Sequence, residues 1–256
     1  DLSARSGIFI HTEGFVRASD APGLGVDVNL GAIRKFQRSV NIEIDGQTRQ
    51  TLVHPGRNGF FYVFDRATGE MIVEPWMFVY NDLIAGVNME TGRPRYDIGK
   101  IMFTNLEDRQ KYVPDAEDIA VGWCPGIAAR NWQNDAFSPR TGLVYTPTSN
   151  RCGIQRVVEG EYVPGNSYTL RERGGQAPLP PGEKYAGELQ ANDPVASETV
   201  WSIRWTSANN TPVMATGGDL LFQGGANEGV VRAFDARTGD IVWTFRTGSN
   251  FRNSPI

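Results

Sequence analysis

Histidine and cysteine are scarce in this chain: its 256 residues contain two of each. His11 and His54 are too few and too scattered to make a metal site. No C-x-x-C-H run occurs, which excludes a covalently attached haem here. No apolar run reaches the ~20 residues needed to cross a bilayer. There is no excess of positive charge either. A net charge of -4 and a pI near 5.3 argue against nucleic acid or an anionic membrane as the main partner. Gly217-Gly218 and Gly224-Gly225 lack the strand–helix context and the Lys of a phosphate loop. Long stretches with helical period are missing as well. The chain opens on Asp1-Leu2-Ser3-Ala4-Arg5 without an initiator Met or a signal-peptide pattern, and stops at Asn253-Ser254-Pro255-Ile256. It reads as part of a longer or processed protein.

What is present suits short strands joined by tight turns. The chain has 29 Gly, 15 Pro and 11% aromatic residues, and its 40% hydrophobic content is that of a globular chain. Leu220-Leu221-Phe222 and Ile241-Val242-Trp243-Thr244-Phe245 are β-rich runs bounded by Gly and Asp. The expected fold class is all-β.

A repeat runs through the chain. The clearest unit is Ala233-Phe234-Asp235-Ala236-Arg237-Thr238-Gly239-Asp240-Ile241-Val242-Trp243, or A-x-D-x-x-T-G-x-x-x-W. Ala191 to Trp201 is a second copy in which Ala196-Ser197 replaces Thr-Gly. The offset, 233 − 191 = 42 residues, matches one four-stranded propeller blade of ~40–45 residues. Partial copies end at Gly69, Gly92 and Gly142. The step from Gly69 to Gly92 is 23 residues, too short for a blade, so some copies mark turns within one. The chemistry of the unit is readable. Ala fits a crowded layer, Asp bonds to the backbone N–H groups of the turn, and Gly supplies a positive φ. Trp then buries a flat ring against the neighbouring blade. A single Asp-x-x-Thr-Gly is ordinary hairpin chemistry; the repetition at blade spacing points to a propeller.

The unit resembles the tryptophan-docking motif of the pyrroloquinoline quinone (PQQ)-dependent, or quinoprotein, alcohol dehydrogenases. Three stretches extend the resemblance over roughly residues 40–256. Arg57-Asn58-Gly59-Phe60-Phe61-Tyr62-Val63-Phe64-Asp65-Arg66 is similar to the family's R/K-N-G-F-F-Y-V-L-D-R segment. Cys124-Pro125-Gly126, followed by Asn131-Trp132 and Ala136-Phe137-Ser138-Pro139, resembles its central cofactor segment. Ala215 to Gly224 resembles the start of a late blade. The resemblance implies about four blades of an eight-bladed ring, with PQQ and a Ca²⁺ or lanthanide ion on its axis. Residues 1–35 do not look like the family. Residues 36–256 would form the partial propeller, with an exposed insertion at about 159–190 that is rich in Glu, Arg, Gly and Pro.

The resemblance also assigns roles. Arg57 stands where the family places a basic residue against the quinone oxygens, Asn131 where an amide bonds to the cofactor, and Trp132 beside it in the same wall. Counted from Trp201, the position where some members place a Trp under the cofactor falls on Asn210; Trp205 is the alternative for that floor. Cys124 and Cys152 match a paired cysteine of some relatives, which implies a disulfide and an oxidising compartment, the periplasm. The family's catalytic Asp and its metal-ligating Glu and Asn lie upstream of the Arg57 segment, so the general base is not expected here and residues 1–256 alone are expected to be inactive. The implied reaction is hydride transfer from a small alcohol or polyol, with a c-type cytochrome or a quinone as electron acceptor. The competing expectation is a non-enzymatic propeller scaffold for protein interactions, which would need neither the basic residue nor the Asn–Trp pair.

Overall fold

The computed structural model describes residues 10–12, 15–17, 40–126, 128–173, 178–208, 211–225 and 227–251. The chain divides into two compact units, residues 1–39 and 40–256. In the first, β1 (Ile10–Thr12) pairs antiparallel with β2 (Phe15–Arg17).

The second unit is built on three four-stranded antiparallel sheets. The first blade contains β3 (Val40–Ile44), β4 (Gln47–Pro55), β5 (Phe60–Asp65) and β6 (Met71–Met77), paired in that order. A long connection follows, carrying the hairpin β7 (Ile84–Val87) and β8 (Pro94–Tyr96), the short helix α1 (Leu106–Gln110) and β9 (Val121–Trp123). The second blade starts with β10 (Ala136–Phe137) and β11 (Val144–Ser149). An excursion of β12 (Gly153–Val157) and β13 (Arg171–Arg173) precedes its outer strands, β14 (Gly187–Asp193) and β15 (Glu198–Trp205). The excursion joins the earlier connection in a small sheet of order β13-β12-β9. The third blade is β16 (Val213–Ala215), β17 (Leu220–Gly224), β18 (Val230–Asp235) and β19 (Ile241–Arg246). The sheets do not close on themselves.

The repeat occupies the turn between the third and fourth strands of each blade. Asp65 Oδ1 accepts from the N–H groups of Ala67 and Thr68 at 2.8 and 3.1 Å, and Asp235 Oδ1 from Arg237 and Thr238 at 2.7 and 3.2 Å. Asp193 does the same for Val195 and Ala196. Gly239 ends its turn at φ +80°. Ser197, which replaces that glycine in the second blade, is held at φ +59°, a conformation an L-residue adopts at a cost of ~1 kcal/mol or more. The copy ending at Gly92 closes the β7–β8 hairpin, and the copy ending at Gly142 closes β10–β11.

Trp201 supplies the docking contact. Its indole N–H donates to the Ala236 carbonyl at 3.2 Å, and its ring lies under the turn of the third blade. A Cβ on Gly239 would come within 2.8 Å of Trp201 Cε3. Tyr145, fully buried, donates to the same carbonyl at 2.9 Å. Leu189, Leu221 and Phe234 complete this core between the second and third blades. Burying each of these three contributes roughly 1.5–3 kcal/mol. Phe61, Val63, Phe78, Val79, Ala129 and Val144 form the core between the first and second blades.

The second blade has two unlike faces. Leu189 and Ala191 face the third blade. The alternate residues Glu188, Gln190 and Asn192 are also buried, at 4%, 5% and 0% exposure, so period-2 burial covers both faces of β14. The exposed insertion expected at about 159–190 therefore ends earlier, because Gly187–Gln190 are already buried strand.

Candidate functional site

Connections in this unit alternate between two ends, as they must in antiparallel blades. Turns 66–70, 138–143, 194–197, 216–219 and 236–240 share one end. There Asp219 of the third blade pairs with Arg237 of its own blade at 3.1 Å and with Arg140 of the second blade at 2.8 Å, so Arg140 stitches the second blade to the third. The other end carries the turn at 56–59, the long connections 78–135 and 150–186, and the link between β15 and β16. Arg57, Asn131, Trp132, Cys124 and Cys152, singled out by the family resemblance, are on this second end.

Arg57 lies in the tight turn between β4 and β5 and is exposed. Gly56 closes the turn twice, its N–H donating to Phe60 O at 2.7 Å and its carbonyl accepting from Gly59 at 3.1 Å. Gly59 adopts φ +87°. Asn58 donates to the Tyr62 hydroxyl at 2.7 Å, and its carbonyl accepts from the buried Asn81 side chain at 2.5 Å.

Asn131 and Trp132 are exposed in the loop that leads into β10, with Trp132 at 60% exposure. The two parts meet through the backbone: Ala129 N–H donates to the Arg57 carbonyl at 3.0 Å. Ala129 O in turn accepts from Ser149 N–H at 2.7 Å, which ties the loop to β11. The structure thus brings the Arg57 turn and the Asn131–Trp132 loop side by side. Asn210 lies outside the described residues. Trp205 packs against the core between the second and third blades.

Cys124 and Cys152 form a disulfide across a separation of 28 residues. Around it the two long connections are interwoven. Cys124 N–H donates to Asp82 Oδ1 at 2.6 Å, and Lys100 pairs with the other oxygen of the same carboxylate at 2.9 Å. Gly126 and Gly153 pass so closely that a Cβ on Gly126 would lie 1.9 Å from Gly153 N.

Sequence reasoning missed two residues. Arg130 and Asp135 pair at 2.8 Å with side chains only 14% and 19% exposed. Burial pushes the Asp135 carboxyl up to about 7, against the opposing pull of Arg130 and of the Thr146 hydroxyl, which faces the carboxylate without good hydrogen-bond geometry. Partial burial, and then the Arg130 charge, lower the pKa of His54. An Arg and an Asp five positions apart in a polar loop carry no mark of burial in the sequence.

A cleft of about 430 Å³ opens on the same end, lined in part by Tyr80, Pro181, Glu188, Gln190 and Arg204. Arg57, Asn131 and Trp132 do not line it. Glu188 is held by Asn150 at 2.8 Å, Gln190 at 3.0 Å and Arg204 at 3.3 Å. Among the described residues, no group of three or more His, Cys, Asp or Glu is arranged to hold a metal, and no helix is long and apolar enough to cross a membrane.

No family model matches the chain. It is 29% identical over 224 residues to quinohemoprotein alcohol dehydrogenase ADH-IIG of Pseudomonas putida, covering 84% of this chain and 30% of that protein. It is 32% identical over 254 residues to a quinoprotein ethanol dehydrogenase of the same species, covering 91% of this chain and 39% of the relative. Among solved structures, a europium-containing methanol dehydrogenase superposes with a TM-score of 0.74 at 30% identity, over 85% of this chain and 36% of that one. The chain thus spans 30% to 39% of the length of these relatives.

Proposed function

We propose that this chain, a member by sequence and fold of the quinoprotein alcohol dehydrogenase family, supplies part of the cofactor-holding end of a periplasmic propeller that oxidises an alcohol with PQQ. The carrying observation is the hydrogen bond from Ala129 N–H to Arg57 O, which sets a guanidinium-bearing turn beside a loop presenting a carboxamide and an indole. That donor set suits a flat, anionic, acceptor-rich molecule.

Bound PQQ would accept the hydride taken from the alcohol. The chain's own residues bind and orient it. Arg57 offers a fixed positive charge for the quinone oxygens, where negative charge grows on reduction. Asn131 donates from its amide in either redox state without changing charge. Trp132 offers an apolar ring face against a planar partner. The general base and the Ca²⁺ or lanthanide ligands belong, on this reading, to parts of the relatives that this chain does not span. The substrate would be a small alcohol or polyol, and the electron acceptor a c-type cytochrome or a quinone. The disulfide supports an oxidising compartment.

Titrating PQQ into the purified chain, followed by quenching of tryptophan fluorescence, tests the reading. Saturable binding is expected, weakened about 10-fold or more by Arg57→Ala or Asn131→Ala, the scale of one lost charged hydrogen bond. No saturation by ~1 mM PQQ, or wild-type affinity in both variants, would refute it. With alcohol and dye added, the chain alone is expected to show no turnover, and detectable turnover would overturn the assignment of the base to another segment.

A further inference from the structure

We propose that Arg130 and Asp135 are positioning residues: a buried clasp that closes the loop 130–135 and holds Asn131 and Trp132 beside the Arg57 turn. The ligand side of this inference rests on the reading above; the clasp itself rests on geometry.

The loop has a buried brace and an exposed face. Arg130 Nη2 reaches Asp135 Oδ2 at 2.8 Å and donates to the Gln133 carbonyl at 2.6 Å. Its Nη1 donates to the Pro55 carbonyl at 3.3 Å, two residues before Arg57. One guanidinium therefore joins the two ends of the loop, its middle and the neighbouring turn. Only a planar group with several divergent donors can do this, and a lysine ammonium cannot match it. Gln133 is buried and points the loop inward, while Asn131, Trp132 and Asn134 are exposed. Beyond the clasp, Asn134 O accepts from Val213 N–H at 3.3 Å, which anchors the loop to the third blade.

A buried ion pair is a weak device for stability, since desolvation offsets most of its attraction. It is a good device for selecting one backbone conformation. The pair here is incompletely satisfied: among the described residues, Asp135 Oδ1 and Arg130 Nε have no hydrogen-bond partner. Two apolar side chains would fill the same space at lower cost but would not fix the carbonyls of Gln133 and Pro55. Specification of the loop is the better account of why charge is buried at this point.

Two readouts on the purified chain test the clasp: amide hydrogen exchange across residues 131–134, and PQQ affinity. Arg130→Ala is expected to speed exchange there about 10-fold while exchange in β14 and β18 stays unchanged. The same variant is expected to weaken PQQ binding about 10-fold through lost pre-organisation. Arg130→Lys should fall between wild type and Ala. Asp135→Asn, which keeps an acceptor of the same shape, should stay near wild type in both readouts. If Arg130→Ala fails to fold, Arg130→Lys and Asp135→Ala carry the test, with faster exchange at 131–134 expected in each. Unchanged exchange in the folded Arg130 variants would overturn the clasp whatever PQQ does. Faster exchange in a chain whose wild type does not bind PQQ would keep the clasp and reject the cofactor reading. Arg57→Ala separates the two from the other side: it should lose PQQ affinity with exchange at 131–134 unaltered.

Discussion

Trp201 and Trp243 occupy the same position of the repeat, yet their surroundings differ, and this difference predicts opposite responses to truncation. Trp201 donates to Ala236 O, covers Gly239 and lies 5.8 Å from the Tyr145 ring centroid. Trp201→Ala removes a hydrogen bond with a net value of about 1 kcal/mol and opens a cavity between two blades. Fully buried Trp→Ala changes cost 3–5 kcal/mol; Trp201 is only partly buried, so about 3 kcal/mol is expected. Trp243 is 48% exposed and stacks on Phe245 along its own strand. Trp243→Ala should change stability by no more than about 0.5 kcal/mol. Urea unfolding followed by far-ultraviolet circular dichroism measures both. With a slope of ~1–3 kcal/mol/M, Trp201→Ala should lower the midpoint by at least about 1 M and Trp243→Ala should leave it nearly in place. Equal shifts would refute the argument that docking onto the next turn, and not the tryptophan itself, stabilises the blades.

Three further outcomes are expected. Ser197→Gly relieves the positive φ and should raise stability by about 0.5–1 kcal/mol in the same assay, net of the extra chain entropy of glycine. Reducing the Cys124–Cys152 disulfide, or replacing both residues with Ser, should cost about 3 kcal/mol by loop-closure arithmetic; a midpoint insensitive to reductant would contradict this. Asp135, faced by Arg130 and Thr146, has a folded pKa of about 7, above its unfolded value of ~3.9. Between these values the folded chain binds more protons than the unfolded one, so this group makes stability fall as pH rises through that window. The contribution should be absent from Asp135→Asn when stability is measured from pH 4 to pH 8.

The parts of the fold that the sequence revealed are those whose causes are local. An Asp that caps its own turn and a residue forced to positive φ are determined within five positions, so the repeat located the turns at Asp65, Asp193 and Asp235, and Ser197 kept the geometry of the glycine it replaces. The partner of Trp201 could be inferred in kind because the motif repeats. Burial set by another blade was not legible. Glu188 and Gln190 read as part of a polar insertion but are buried strand residues, Glu188 held by Asn150 and Arg204 and Gln190 donating to Phe78 O, just after the first blade, at 2.9 Å. The alternation of Glu188, Gln190 and Asn192 with Leu189 and Ala191 was the available mark of a strand buried on both faces. Within the candidate site, Arg57 and Asn131 are proposed on family resemblance, and their being side by side through the Ala129–Arg57 backbone bond could not be read from the sequence, nor could the Arg130–Asp135 pair, which follows only from three-dimensional proximity.

The separation of the two ends has an evolutionary consequence. The Trp201 contact and the Arg140–Asp219 pair sit at the short capped hairpins of one end, and the excursions 78–135 and 150–186 lie at the opposite pole. Outside Phe78, Val79 and Ala129, which pack between the first and second blades, and Asn134, which bonds to the third, substitutions in those excursions leave these joints untouched, so on the proposed function specificity can drift while the scaffold persists. Chimaeras that exchange these excursions between relatives while keeping those four residues should therefore inherit ligand preference from the loop donor and thermal tolerance from the blade donor.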